Sequence, residues 1–309
     1  MRTVAVIDMG TNTFHLLVAE VTERGFVITH RYREAVKVGA GGIIRGLITE
    51  EGAQRALATL RHFRQLIDQH GATQVTAIAT SAFRNAQNGT AIAEHIQRET
   101  GIEVKIIDGE EEAALIYRGI TSGLDLEDDT SLIVDIGGGS VEFIIGTQQE
   151  IFWKQSVEIG GQRLLERFQK HDPIRPEEGE ALYAYLDEVL QPLKNALLEH
   201  EPEVLVGSSG SFDTLSEMYC AQHGLQYRAD DAETPLTIPG FYMLFEELKK
   251  RDRAARMQLP GMIELRVDMI VVACFVIDWL FQNHGDFYHL RVSTYSLKEG
   301  VLSTLAMRP

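Results

Sequence analysis

The sequence predicts a layered α/β protein made of two related domains. Short apolar strands alternate with amphipathic helical stretches along most of the 309 residues. One strand–turn–strand pattern occurs twice, at 5–21 and again at 132–148. The two copies are separated by about the length of one domain. We therefore expect domains at 1–121 and 122–309, with the C-terminal helix from about residue 298 packing back on the first domain.

Each copy of the repeat predicts a β-hairpin whose turn contains glycine. The first copy reads AVIDMGTNTFHLLVAEV and the second LIVDIGGGSVEFIIGTQ. Asp8 matches Asp135 in this comparison, and Thr13 matches Ser140. Three consecutive glycines weaken regular structure, so the second turn calls for a compensating role.

The remaining elements follow from hydrophobic periodicity and from turn residues. In the first half, the pattern predicts helices at 50–71, 89–101 and 111–118 and strands at 75–80 and 104–108. In the second half, it predicts helices within 159–169, 177–200 and 211–224, and a strand running into a glycine loop at 203–211. The apolar stretch 269–281 is interrupted by Asp278 and is too short for a membrane span, so it predicts a buried helix.

Composition excludes several classes of function. A net charge of −16 argues against a general nucleic-acid binder. A polyanionic substrate would need a local cluster of basic groups, backbone amides or a divalent cation. The two cysteines are far apart and suggest reduced thiols, and the N-terminus has no signal-peptide pattern, so we expect a cytoplasmic protein without membrane partners.

Four stretches rich in glycine or hydroxyl groups stand at the ends of predicted strands: 8–13, 79–85, 135–140 and 207–211. Successive backbone N–H groups in such turns bind anions. One stretch alone would be interpreted as a tight turn, but four together favour phosphate binding. The candidate substrate-binding residues are Thr11, Asn12, Thr13, Ser81, Arg84, Gly137, Gly138, Gly139, Ser140, Gly207, Ser208, Gly210 and Ser211.

Acidic residues near these turns have two interpretations each. Asp8 and Asp135 either form Asx-turns or hold Mg²⁺. Glu142, on the return strand of the second hairpin, either faces solvent or binds the metal or a water. The three glutamates at 110–112 suit the first turn of a helix, and one of them could instead orient a water for attack on a phosphoryl group. Spacing alone does not choose among the three.

Taken together, these motifs resemble those of the actin-like ATPase superfamily and, within it, the exopolyphosphatase and guanosine pentaphosphate phosphohydrolase family. Matching stretches run in order across nearly the whole chain, at 6–20, 36–57, 79–89, 107–119, 133–143, 156–168, 207–215 and 296–302. The resemblance implies two actin-like (ribonuclease H-like) α/β domains with a cleft between them. The chain stops at Pro309, so we expect no C-terminal helical phosphohydrolase domain.

The resemblance also implies the chemistry of the site. It makes Glu112 the catalytic base and associates Asp135 and Glu142 with the divalent cation and the attacking water; Asp8 completes the expected metal set. The expected cofactor is Mg²⁺ or another divalent cation. The expected substrate is inorganic polyphosphate or guanosine pentaphosphate, which would connect the protein to the stringent response. The resemblance is also compatible with a homodimer.

The sequence departs from the family pattern at a few positions and leaves rival functions open. Ser296 and Lys298 stand where many members have Gly and Arg, and Val141 stands where Thr is common. The leading hypothesis is a phosphohydrolase that releases terminal phosphate. The alternatives are an actin-like phosphotransferase, acting on ADP or a sugar, and a non-catalytic sensor of an alarmone or nucleotide.

Overall fold

The computed structural model describes residues 2–22, 25–228 and 230–307, which form two compact units. The first unit contains residues from 2–122 together with 297–307, and the second contains residues from 123–296. The last helix lies within the predicted range 122–309 but was expected to pack back on the first domain, and it belongs to the first unit. Its residues contact that unit directly, because Arg31 Nη1 donates to Glu299 Oε1 at 3.0 Å.

The first unit has a five-stranded sheet in the order β3-β2-β1-β4-β5. Antiparallel pairing joins the first three strands, whereas β1, β4 and β5 are parallel. The strands are β1 Arg2–Met9, β2 Thr13–Thr22, β3 Gly25–Ala35, β4 Gln74–Ala79 and β5 Val104–Ile106. The predicted hairpin is present as β1 and β2, with Asp8 opposite His15.

Helices cover this sheet and bury its apolar side chains. They are α1 Glu50–Gln69, α2 Ser81–Asn85, α3 Gly89–Thr100, α4 Gly109–Gly123 and α12 Leu297–Ala306. Helix α1 begins after Thr49, whose hydroxyl accepts from Gly52 N–H at 3.1 Å. It buries Leu60, Phe63 and Ile67, which lie on one face because they are three or four residues apart.

The second unit has a six-stranded sheet in the order β10-β11-β9-β6-β7-β8. Its strands are β6 Ser131–Ile136, β7 Val141–Gly146, β8 Ile151–Val157, β9 Val204–Ser208, β10 Glu233–Thr234 and β11 His289–Ser293. The hairpin of β6 and β7 lies beside the parallel strand β9, as the first hairpin lies beside β4. The repeat in the sequence is thus a repeat of sheet topology, which confirms the prediction of two related α/β domains.

The helices of the second unit enclose a large apolar core around this sheet. They are α5 Gly161–Phe168, α6 Pro176–Val189, α7 Gln191–His200, α8 Ser209–His223, α9 Ile238–Leu248, α10 Arg253–Arg256 and α11 Ile270–Asn283. Helix α11 is buried from Ile270 through Leu280, as the stretch 269–281 predicted. The described helices include none that combines the length and apolarity of a membrane span.

Three local expectations need correction. The helical stretch 177–200 is two helices, because Pro192 at the start of α7 lacks the N–H that a continuous helix would need. The stretch 79–85 ends β4 and forms the short helix α2 rather than a loop. The glycine loop expected at 207–211 is absent as a separate loop, since α8 begins at Ser209, directly after β9.

Candidate active site

In each unit, the candidate residues lie where parallel strands end. In the first unit, Asp8 is near the end of β1, Ser81 follows β4, and Glu112 follows β5. In the second unit, Asp135 and Ser208 are directly opposite each other near the ends of β6 and β9. Open α/β sheets bind ligands at the carboxyl ends of their strands. The strand order therefore gathers residues that are far apart in sequence.

The turn of the first hairpin is buried, and backbone hydrogen bonds join it to residues 37–39. Thr11, Asn12 and Thr13 are each buried, and the turn closes through Gly10 N–H to Thr13 O at 3.1 Å. Gly39 N–H donates to Thr11 O at 3.0 Å, and a Cβ on Gly39 would lie 2.4 Å from Thr11 Cγ2. The buried Thr13 Oγ1 makes no hydrogen bond within the described residues. Such an atom is a natural partner for a ligand.

Glu112 differs in environment from the two glutamates beside it. Its side chain is buried, whereas Glu110 is exposed and Glu111 is partly exposed and ion-paired with Lys105. Arg84 Nη1 donates to Glu112 Oε2 at 2.7 Å and lies 3.3 Å from Ile107 O. Sequence analysis assigned Arg84 to the substrate, and the structure places its guanidinium on the candidate base.

Asp135 and Glu142 are directly opposite each other across the antiparallel pair β6 and β7. Both are buried. Asp135 Oδ2 accepts from Ser296 Oγ and lies 3.4 Å from Ser208 Oγ, while Glu142 Oε1 accepts from Ser156 Oγ at 2.7 Å. Two like charges in directly opposed positions destabilise a strand pair, so this pair favours a bound cation.

The glycine turn 137–139 is anchored through its carbonyl groups. Gly139 O, Gly137 O and Gly138 O accept from the N–H groups of residues 160, 161 and 162 at 3.1, 2.9 and 2.8 Å. A Cβ on Gly160 would lie 2.4 Å from Gly139 N, so this close approach requires glycine. Arg163 Nε also donates to Gly139 O, at 2.8 Å. The start of α5 therefore fixes the turn on its carbonyl side.

The stretch 207–211 combines structural and candidate functional roles. A Cβ on Gly207 would lie 2.1 Å from Phe212 Cδ1, so packing alone explains that glycine. Ser209 has φ of +73°, a left-handed conformation that is strained for serine and is found at functional sites. A Cβ on Gly210 would lie 2.0 Å from Arg266 Nη2. The buried Arg266 guanidinium therefore lies against the first turn of α8.

Sequence reasoning missed Arg266, Ser296 as a partner of Asp135, and Gly160 as a support for the glycine turn. No local motif could have revealed these contacts, because each joins separate elements. The segment containing Ser296 departs from the family pattern, but no residue in it predicts a contact with Asp135.

A divalent cation is compatible with the residues of the second unit. No group of three His, Cys, Asp or Glu side chains suited to a metal exists within the described ranges. Mg²⁺, however, is usually held by one or two carboxylates together with waters and substrate phosphates. The buried pair Asp135 and Glu142, with serine hydroxyls on both carboxylates, fits that mode of binding.

Comparisons with known proteins bear on the family and the fold of the chain. The model of the Ppx/GppA phosphatase family matches residues 17–308. An exopolyphosphatase crystal structure from Cytophaga hutchinsonii is 45% identical, with a TM-score of 0.95, covering 99% of this chain and 98% of that one.

More distant structures share the fold. The Aquifex aeolicus PPX-GPPA enzyme is 25% identical, with a TM-score of 0.80, over 98% of this chain and 99% of that one. Another Aquifex aeolicus structure, of a Ppx/GppA family member, is 24% identical, with a TM-score of 0.81 and coverages of 99% and 98%. The two repeated α/β units are thus the actin-like domains of this fold, and the chain belongs to the Ppx/GppA phosphatase family, whose members are phosphohydrolases.

Proposed function

We propose that this phosphohydrolase releases the terminal phosphate of inorganic polyphosphate or the 5′ phosphate of guanosine pentaphosphate. The observation that carries the proposal is the environment of Glu112, which is buried at the start of α4 and bound by Arg84. The 45% identity to an exopolyphosphatase supports polyphosphate as the first substrate to test.

Glu112 would orient the attacking water. Arg84 Nη1 donates to Oε2 of the carboxylate, and this bond restricts the directions from which a water can approach the carboxylate. The Arg84 guanidinium also balances the negative charge of this buried carboxylate, which is a weak base. A weak base is sufficient, because the transition state of phosphoryl transfer is loose and positioning dominates.

The substrate's phosphates would be bound mainly by backbone amides. Gly137 N–H donates to Ser140 O at 3.0 Å, and the carbonyl groups of 137–139 are engaged by the start of α5. We therefore expect the N–H groups of Gly138 and Gly139 to meet the anion. Arg266, at the first turn of α8, would add a fixed positive charge there. Such local groups offset the repulsion that a chain of net charge −16 exerts on a polyanion.

The proposed cofactor is Mg²⁺ or another divalent cation. Asp135 and Glu142 would hold it, and Asp8 is the third proposed ligand because it occupies the position equivalent to Asp135 in the first hairpin. When bound, the cation would neutralise charge on the phosphate oxygens. Ser296 and Ser156 would orient the two carboxylates.

Phosphate release tests the proposal directly. The protein with Mg²⁺ is incubated with long-chain polyphosphate, guanosine pentaphosphate and ATP, each with and without ADP as acceptor. Release of orthophosphate independent of ADP supports hydrolysis and identifies the preferred substrate. Formation of ATP from ADP would favour the transferase, and tight binding without turnover would favour the sensor.

Substitution of Gly210 by alanine should weaken substrate binding, and thermal melting checks that the variant is folded. The new Cβ would displace the flexible end of Arg266, so the charged hydrogen bond to phosphate would be lost. We expect kcat/KM to fall by about 10- to 100-fold, as for the loss of one such bond. Gly285→Ala is the matched control, because nothing lies within 4 Å of its new Cβ. Equal kcat/KM in the two variants would contradict a substrate role for Arg266.

Substitution of Ser296 by alanine should raise the concentration of cation required. The change removes the hydroxyl that donates to Asp135 Oδ2, and loss of such an orienting bond typically weakens metal affinity by about 10- to 100-fold. Calorimetric titration with Mn²⁺ measures this without turnover. Ser122→Ala removes a hydroxyl that donates to the carbonyl of Gly119 in the same helix, and it controls for the loss of a serine. Unchanged Mn²⁺ affinity in Ser296→Ala would count against this role.

A further inference from the structure

A second concave site lies in the second unit, among residues that the candidate active site does not use. It is a cavity of about 350 Å³ between the start of α6, the end of α9 and one face of α11. Its volume is at the lower end of the range for small-molecule sites. The cavity opens to solvent, and its lining is mainly apolar.

The cavity persists because its walls are fixed in place. Gly179 supplies no side chain to fill the space, and a Cβ there would lie 2.9 Å from Phe275 Cε1. The rings of Tyr183 and Phe275 have centroids 5.0 Å apart. Tyr183 Oη donates to Asp278, which also accepts from Gln282 Nε2 at 2.6 Å. Burial and the bond to Asp278 raise the pKa of Tyr183, so it remains a neutral aromatic wall.

The rim of the cavity is basic in a strongly acidic protein. Arg175 lies on the α6 side of the cavity, and Lys249 and Lys250 lie on the α9 side. Glu180 is the one carboxylate among the lining residues. The two lysines share Glu246 as an ion-pair partner. The two lysines alone could be explained by their position at the C-terminal end of α9, where the helix dipole stabilises positive charge. This dipole does not explain Arg175 on the opposite wall, whose Nη1 lies 4.0 Å from Glu177 Oε1. Within the lining itself, the three cations outnumber the single carboxylate of Glu180.

We propose that this cavity binds a small aromatic anion, meaning a compound with one planar apolar ring system and a carboxylate, sulfonate or phosphate group. The ring system would pack against Tyr183 and Phe275, and the anionic group would lie between Arg175 and the two lysines. The apolar wall would bury the ring system, and the basic rim would favour ligands with a negative charge.

Binding of the dye 1-anilinonaphthalene-8-sulfonate to the full chain tests the proposal. Calorimetry gives its affinity and stoichiometry, and hydrogen exchange locates it. Two comparison compounds separate the contributions: the neutral N-phenyl-1-naphthylamine lacks the charge, and octane-1-sulfonate lacks the ring. We expect saturable binding of one dye, weaker binding of both comparison compounds, and slowed exchange at residues 174–183.

Charge variants add the decisive comparison. Lys250→Gln should weaken dye binding by roughly two- to fivefold, the range for one solvent-exposed charge. Lys105→Gln is the matched control, because it removes another exposed lysine that is paired with a glutamate, in the other unit. The proposal is overturned if the dye does not saturate, if either comparison compound binds equally well, if exchange at 174–183 is not slowed, or if both lysine variants behave alike.

Discussion

The Glu112→Gln variant is expected to lose phosphate release by about 10²- to 10⁴-fold, the usual contribution of a positioned base. Glutamine keeps the shape of the side chain, but its amide is a poorer acceptor for the water's proton and loses the charge that pairs with Arg84. Because Glu112 is buried, folding must be checked by thermal melting. Initial rates with polyphosphate under saturating Mg²⁺ measure the effect.

The neighbouring Glu111→Gln variant is the control for this result. It makes the same chemical change one residue earlier on α4, at a side chain that is 40% exposed and paired with Lys105. We expect its rate to stay within about twofold of the unmodified protein, as for a surface ion pair. A similar loss in both variants would show that activity depends on the total negative charge in the first turn of α4 and not on Glu112 in particular.

The Asp135→Asn variant is expected to lose both turnover and its thermal response to Mg²⁺. A cation that binds only the folded protein raises its melting temperature, so the unmodified protein should be stabilised as Mg²⁺ is added. Asparagine removes one of two opposed buried carboxylates. Without Mg²⁺ the variant should therefore melt no lower than the unmodified protein, because the repulsion from Glu142 is relieved. With Mg²⁺ the stabilisation should largely vanish.

Glu150→Gln controls for the loss of one negative charge in the same unit. Glu150 is exposed after β7, away from the opposed pair, and should leave the Mg²⁺ response unchanged. Phosphate release by Asp135→Asn should fall by at least about 10-fold at saturating Mg²⁺. An undiminished Mg²⁺-induced shift in melting temperature would remove Asp135 from the proposed metal set.

The repeated hairpin could be predicted from sequence because its signal is local. An apolar run, an aspartate, glycines and a second apolar run lie within one short segment in each copy, and the strands β1–β2 and β6–β7 follow that pattern. Residue spacing could not indicate which of the three glutamates at 110–112 is the candidate base. Burial and the bond from Arg84 distinguish Glu112, and that bond comes from the separate helix α2.

Contacts set by strand order could not be predicted in this way. Ser296 reaches Asp135 because β11 lies beside β9 and β9 beside β6, an order that no local pattern encodes. The contact of Arg266 with Gly210 likewise joins two segments that are far apart in the sequence. At Gly207, the ring of Phe212 requires glycine whether or not a ligand binds there, and the sequence could not reveal this packing.

The central claim is that water, oriented by Glu112, receives the terminal phosphoryl group. Phosphate released from polyphosphate in ¹⁸O-labelled water, with ADP present, tests it most directly by mass spectrometry. Incorporation of one water oxygen into each orthophosphate, at a rate that falls with Glu112→Gln, is the predicted result. Unlabelled phosphate, or phosphate recovered on ADP, would contradict the account.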